Sequence, residues 1–109
     1  MCELAAVTDP DTARVEKLSA LYHIPGKYSD YRKMLAEVKP DIVSISTSTR
    51  PRPEIIITAA EMGVRGIFAE KALCGSMEEA DRIVEACKKH GVIFNYGTNR
   101  RYDVIYGMI

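Results

Sequence analysis

Glu70 and Lys71 set an acid and a base side by side at the end of an apolar run, residues 64–69. A charged pair in that position either faces a ligand at the rim where α/β proteins bind them or forms an exposed salt bridge worth little. Three further polar groups end apolar runs in the same way: Thr8 with Asp9, Ser46 to Thr49, and Gly97 to Arg101. In residues 46–52, hydroxyls and two arginines precede a helix pattern that carries Pro53 in its first turn. Free N–H groups and the helix dipole favour an anionic ligand there; alternatively the segment is a solvated loop whose hydroxyls satisfy their own backbone. Asp9 also has two readings. It caps the helix that Pro10 opens, or, as an acid ending a strand, it hydrogen-bonds the ribose hydroxyls of a dinucleotide.

Other chemistries find little support. Cys2, Cys74 and Cys87 are odd in number and follow no close metal-ligand spacing, so neither a zinc site nor a disulfide framework is expected. Reduced, mostly packed thiols are expected instead. His23 lacks a partner at ligand spacing, and His90 suits a helix end, where it complements the dipole. Fifteen basic residues against fifteen acidic ones leave no net charge to attract nucleic acid or an anionic membrane. No apolar run approaches the roughly 20 residues of a membrane helix, and the first residues lack the pattern of a signal peptide. A cytoplasmic location is expected.

The elements that must carry these groups are legible from periodicity and punctuation. Residues 4–7 read as a strand, and Val15, Leu18, Leu21 and Tyr22 form the apolar stripe of the helix after it. Lys27 and Tyr28 suit a very short strand. Ser29 or Asp30 then caps a helix with Met34, Leu35 and Val38 inward, stopped by Pro40. Residues 41–46 read as a strand, followed by a helix burying Ile56, Ala59, Ala60 and Met62 and leaving through Gly63. After the strand at 64–69, Ser76 and Glu79 make a capping box, with Ala80, Ile83, Val84 and Cys87 as the buried stripe and Gly91 as the exit. Residues 92–96 return as a strand. Such alternation implies right-handed crossovers and a mainly parallel sheet with helices on both faces, and it brings all four polar groups to strand carboxyl ends.

With these residues in order, the chain resembles the Gfo/Idh/MocA family of NAD(P)-dependent oxidoreductases. Asp41-Ile42-Val43 through Thr47 to Glu54 is similar to the family's strand and Thr-Pro-Asn-x-x-His-x-Glu turn. Glu70-Lys71-Ala72 resembles its Glu-Lys-Pro signature, and Asn99-Arg100-Arg101-Tyr102 its Asn-x-Arg-Phe segment. The resemblance implies that Asp9 binds the adenosine ribose, favouring NAD while leaving NADP open, and that Thr47, Ser48 and Thr49 pass along the pyrophosphate and nicotinamide side. Lys71 then stands by the nicotinamide ribose and the substrate hydroxyl, easing alkoxide charge or proton transfer, with Glu70 orienting it and Arg101 shaping the substrate side. The implied reaction is hydride transfer between NAD(P) and the secondary alcohol of a sugar or polyol.

Ser48, Thr49, Arg52 and Ala72 depart from the family pattern. The resemblance also implies a Rossmann-like fold lacking its first strand, its glycine-rich turn and its first helix. Residues 1–109 thus read as a partial NAD(P)-binding domain without the C-terminal substrate domain, which in this family supplies the sheet for a homo-oligomer. Removing the central strand leaves a gap or forces an unusual pairing, so the isolated chain is expected to be marginally stable, prone to association and inactive alone. The alternative reading is a non-catalytic α/β module that binds a nucleotide or docks a protein.

Overall fold

The structure, a computed structural model, describes residues 2–98. The elements alternate as expected: β1 (Ala6–Thr8), α1 (Thr12–Tyr22), β2 (Gly26–Tyr28), α2 (Tyr31–Val38), β3 (Ile42–Ile45), α3 (Arg52–Glu61), β4 (Gly66–Glu70), α4 (Met77–Lys89) and β5 (Ile93–Gly97). Every pairing is parallel. Of the two outcomes expected for the sheet, the gap is the one observed among the described residues. β1 pairs with β2, β3–β4–β5 form a second sheet, and no ladder joins the two.

Helices lie on opposite sides of the β1–β2 pair, as two adjacent side chains of β2 demonstrate. Lys27 pairs with Glu16 of α1 at 3.2 Å, whereas the Tyr28 hydroxyl donates to Glu37 of α2 at 2.9 Å. Successive strand residues point to opposite faces, so α1 and α2 must do the same. Ala6 and Tyr28, on the α2 side, pack against the main core. That core gathers Met34 and Leu35 of α2, Ile45 of β3, Ile56, Ala59 and Ala60 of α3, Ile67 and Ala69 of β4, and Ile83 and Cys87 of α4. Completely burying isoleucines such as Ile56, Ile67 and Ile83 contributes roughly 1.5–3 kcal/mol each.

Local signals hold at most helix ends. Asp30 caps α2 by accepting from the Arg32 N–H at 2.9 Å, and the Ser76 hydroxyl accepts from Glu79 N–H at 3.2 Å. Glu79 completes its box one residue early, taking the Gly75 N–H at 2.8 Å. Gly63 and Gly91 adopt the left-handed conformation at φ 90 and 65.

Three expectations need correction. Asp11, not Asp9, caps α1, accepting from the Ala13 N–H, and Pro10 precedes the helix instead of opening it. Of α1's expected stripe only Val15 is buried; Leu18, Leu21 and Tyr22 are exposed, because the short β1–β2 pair offers too little surface to cover them. Val84 and Met62 are likewise exposed, since Ile83 and Cys87 of α4 and Ile56, Ala59 and Ala60 of α3 already occupy the contact with the sheet.

The two halves also differ in how tightly they close. A Cβ added to Gly26 would lie 2.7 Å from the Ala6 Cβ and 2.8 Å from the Ala5 carbonyl oxygen, closer than backbone tolerates. Gly26→Ala is therefore expected to destabilise the fold by ~1–3 kcal/mol in urea denaturation, through strain in the β1–β2 pair. Burial raises the Cys87 thiol above its ordinary pKa, while Cys2 is exposed and Cys74 half-buried. At neutral pH a thiol reagent should take Cys2 and Cys74 in the native chain and reach Cys87 only on adding denaturant.

Candidate functional site

Register brings the polar groups of the larger sheet to a single rim. Ile45 pairs with Ala69, Ala69 with Tyr96, and Glu70 with Gly97, so the residues that follow β3, β4 and β5 leave the sheet side by side. Thr47 to Thr49, Lys71 and Thr98 thus stand along one edge, with β4 in the middle. Thr8 and Asp9 end β1 in the separate pair.

Glu70 and Lys71 diverge at that edge. Glu70 is partly buried, and its Oε1 lies 3.1 Å from where a Cβ on Gly97 would sit, so the carboxylate rests over the end of β5. Lys71 is exposed. The ion pairs among the described residues do not include the two together, so the salt-bridge reading of this pair finds no support. The segment after Lys71 is tied to β5 as well, through the Leu73 N–H donating to the Tyr96 hydroxyl at 3.3 Å.

Asp9, released from capping, uses its Oδ1 to accept the Asp11 N–H at 2.8 Å and remains partly exposed. The turn after β3 behaves in part as a self-satisfied loop: the Thr47 hydroxyl donates to the Ser48 carbonyl at 2.9 Å. Its helix entrance is poorer in donors than the sequence suggests. Pro51 and Pro53 carry no N–H, and the Arg52 N–H donates to the Thr49 carbonyl at 3.3 Å, so fewer first-turn N–H groups are left to meet an anion.

Arg52 is the residue that sequence reasoning misplaced. Grouped with a cluster read as facing an anion or lying in a solvated loop, it is 2% exposed, and its guanidinium donates to the Thr47, Glu70 and Ala72 carbonyls. The available signal was its position: it lies in the first turn of α3, at the place of the His in the Thr-Pro-Asn-x-x-His-x-Glu turn that the segment resembles. Arg101, with Asn99, Arg100 and Tyr102, lies outside the described residues.

An NAD-binding Rossmann oxidoreductase family matches residues 1–98, most of the chain. The chain belongs to the Gfo/Idh/MocA family. It is 36% identical over 104 residues to scyllo-inositol 2-dehydrogenase (NAD(+)) of Bacillus subtilis, covering 95% of this chain and 30% of that protein. It is 29% identical over 100 residues to myo-inositol 2-dehydrogenase of Thermotoga maritima, covering 92% and 30%. Among solved structures, myo-inositol 2-dehydrogenase from Lactobacillus plantarum superposes with a TM-score of 0.87 at 29% identity, over 97% of this chain and 31% of that one. The chain thus spans about 30% of the length of these Gfo/Idh/MocA relatives.

The family's cofactor is NAD, and the rim suits part of it. A partly exposed carboxylate at Asp9, at the end of the separate strand pair, and an exposed cation at Lys71, on the rim, suit hydroxyl-bearing and charge-developing groups, whereas the proline-lined entrance to α3 offers a pyrophosphate fewer backbone donors. Gly97 keeps the Glu70 carboxylate in place, because added bulk would also meet Phe68 Cζ at 3.1 Å. Gly97→Ala is expected to shift the NMR signals of the Glu70 side chain and the Phe68 ring while leaving the β4–β5 ladder amides protected from exchange.

Proposed function

We propose that this chain forms part of an NAD-dependent dehydrogenase that oxidises the secondary alcohol of a sugar, polyol or related substrate, with Lys71 as the acid–base group. The observation that carries this reading is the position of Lys71: exposed, at the end of the middle strand, between the turn after β3 and the end of β5. In open α/β sheets that rim is where ligands bind. The inositol dehydrogenases among the relatives support the substrate class. Because those relatives are about three times as long, the activity is proposed for the protein at their length.

The nicotinamide, when bound, supplies the hydride acceptor. The remaining work falls to the chain's own side chains. The Lys71 ammonium offsets negative charge developing on the substrate oxygen, or its amine holds the proton that the alcohol loses. Asp9 receives the ribose hydroxyls, and its charge disfavours a second phosphate there, so NAD is preferred over NADP. Thr47, Ser48 and Thr49 line the nicotinamide side, Glu70 borders it from the end of β4, and Arg101 serves the substrate side.

In the full-length protein, Lys71→Ala is expected to lower kcat by ~100-fold or more. The Kd for NADH, read by fluorescence titration, should change by no more than about threefold, since the lost interaction belongs to the transition state. Undiminished turnover would remove Lys71 from the chemistry. A chain that forms monodisperse complexes with a protein while ignoring NADH would favour the docking module instead.

A further inference from the structure

Arg52 is a buried cation without a carboxylate. Its neighbours are three backbone carbonyls, its Nε has no partner, and it takes part in none of the ion pairs among the described residues. Desolvating a guanidinium costs several kcal/mol, so a role in packing alone is a poor account of it; a leucine or methionine would fill the same space at no such cost.

The acceptors explain what the charge does. The β3–β4 ladder ends at the pair Ile45 and Ala69, and beyond it the two chains continue with carbonyls that cannot bond to one another. Arg52 supplies the missing donors. One terminal nitrogen donates to the Thr47 carbonyl, past the end of β3; the other donates to Glu70, at 2.7 Å, and to Ala72, past the end of β4. Glu70 and Ala72 are the residues on either side of Lys71. The Glu70 carbonyl lies in the peptide that enters Lys71 and the Ala72 carbonyl in the next peptide but one, so holding both pins the backbone on either side of Lys71 and restricts the direction of its Cα–Cβ bond, while the exposed side chain extends into solvent. On the far side, the Tyr96 hydroxyl secures Leu73.

We propose that Arg52 is the positioning residue for Lys71, a guanidinium fork that extends the β3–β4 ladder into the loop and aims the lysine over the rim. The proposal rests on the function proposed for Lys71, but the fork itself can be tested without turnover. Only a planar group with donors on two separate nitrogens spans the two chains; a lysine ammonium at residue 52 concentrates its donors at one point and loses its charge readily when buried.

The test combines hydrogen exchange with kinetics on Arg52→Lys and Arg52→Met. In both variants, exchange of the peptide covering residues 70–75 is expected to accelerate by about tenfold or more, with α4 and the β4–β5 ladder unchanged. In the full-length protein, kcat should fall by ~100-fold with the Kd for NADH nearly constant, Arg52→Lys failing to rescue it, because misaiming a catalytic group penalises the chemical step. Unchanged exchange at 70–75 in a folded variant overturns the fork. Acceleration spread evenly over the chain in both variants also overturns it, making Arg52 a general core residue. If exchange responds locally but Lys71→Ala leaves turnover intact, the fork stands and the role assigned to Lys71 is what fails.

Discussion

Parallel pairing in a single register obliges β3, β4 and β5 to finish at one rim, and the placement of Thr47 to Thr49, Glu70, Lys71 and Thr98 depends on it. One-sided burial enforces that register. Ile67 and Ala69 of β4 face the helices at 2% and 0% exposure, and a slip of one residue would turn both outward and carry Glu70 into the core. The same register exhausts the ladder just where the loops begin, which leaves carbonyls facing carbonyls. A backbone cannot resolve that conflict by itself. The Arg52 guanidinium does so, and the loop that bears Lys71 takes its path from the three carbonyls it gathers.

The smaller pair of strands is attached mainly through α2. Met34 and Leu35 enter the main core, Ala6 and Tyr28 lean on it, and Arg32 reaches across from α2 to Glu54 in the first turn of α3. That last pair is exposed and contributes little, so the apolar contacts carry the attachment. Asp9 therefore stands on a less firmly held element than Lys71 does. A dinucleotide that spans both would bind across the gap between the two sheets, and ordering β1 relative to β3 would draw on part of its binding free energy.

Stability rests on one face of the larger sheet. α3 and α4 cover the side that holds Ile45, Ile67 and Ala69, whereas Ile42 and Ile93, which share a row with Gly66, are 62% and 79% exposed on the other. Leu21 and Tyr22 of α1 add to the uncovered apolar surface. Apolar area left in water contributes nothing to stability, so the larger sheet draws its hydrophobic contribution from its helix-covered face.

The sequence by itself determined the alternation of strands and helices, their parallel order, most of the caps and the family, because hydrophobic periodicity and the stops at Pro40, Gly63 and Gly91 act over a few residues. It also determined which side chains end the strands, hence the rim. Tertiary structure decided the rest. Asp11 won the cap because two carboxylates two residues apart compete for neighbouring N–H groups, and the path of the chain out of β1 settles which one reaches them. Leu18, Leu21, Val84 and Met62 fit helical stripes, yet burial needs an opposing surface, which periodicity does not supply. Glu70 lies over Gly97, 27 residues further along the chain, and Arg52 finds Glu70 and Ala72 at separations of 18 and 20. An arginine between two prolines looks like a solvated loop residue until those distant carbonyls surround it.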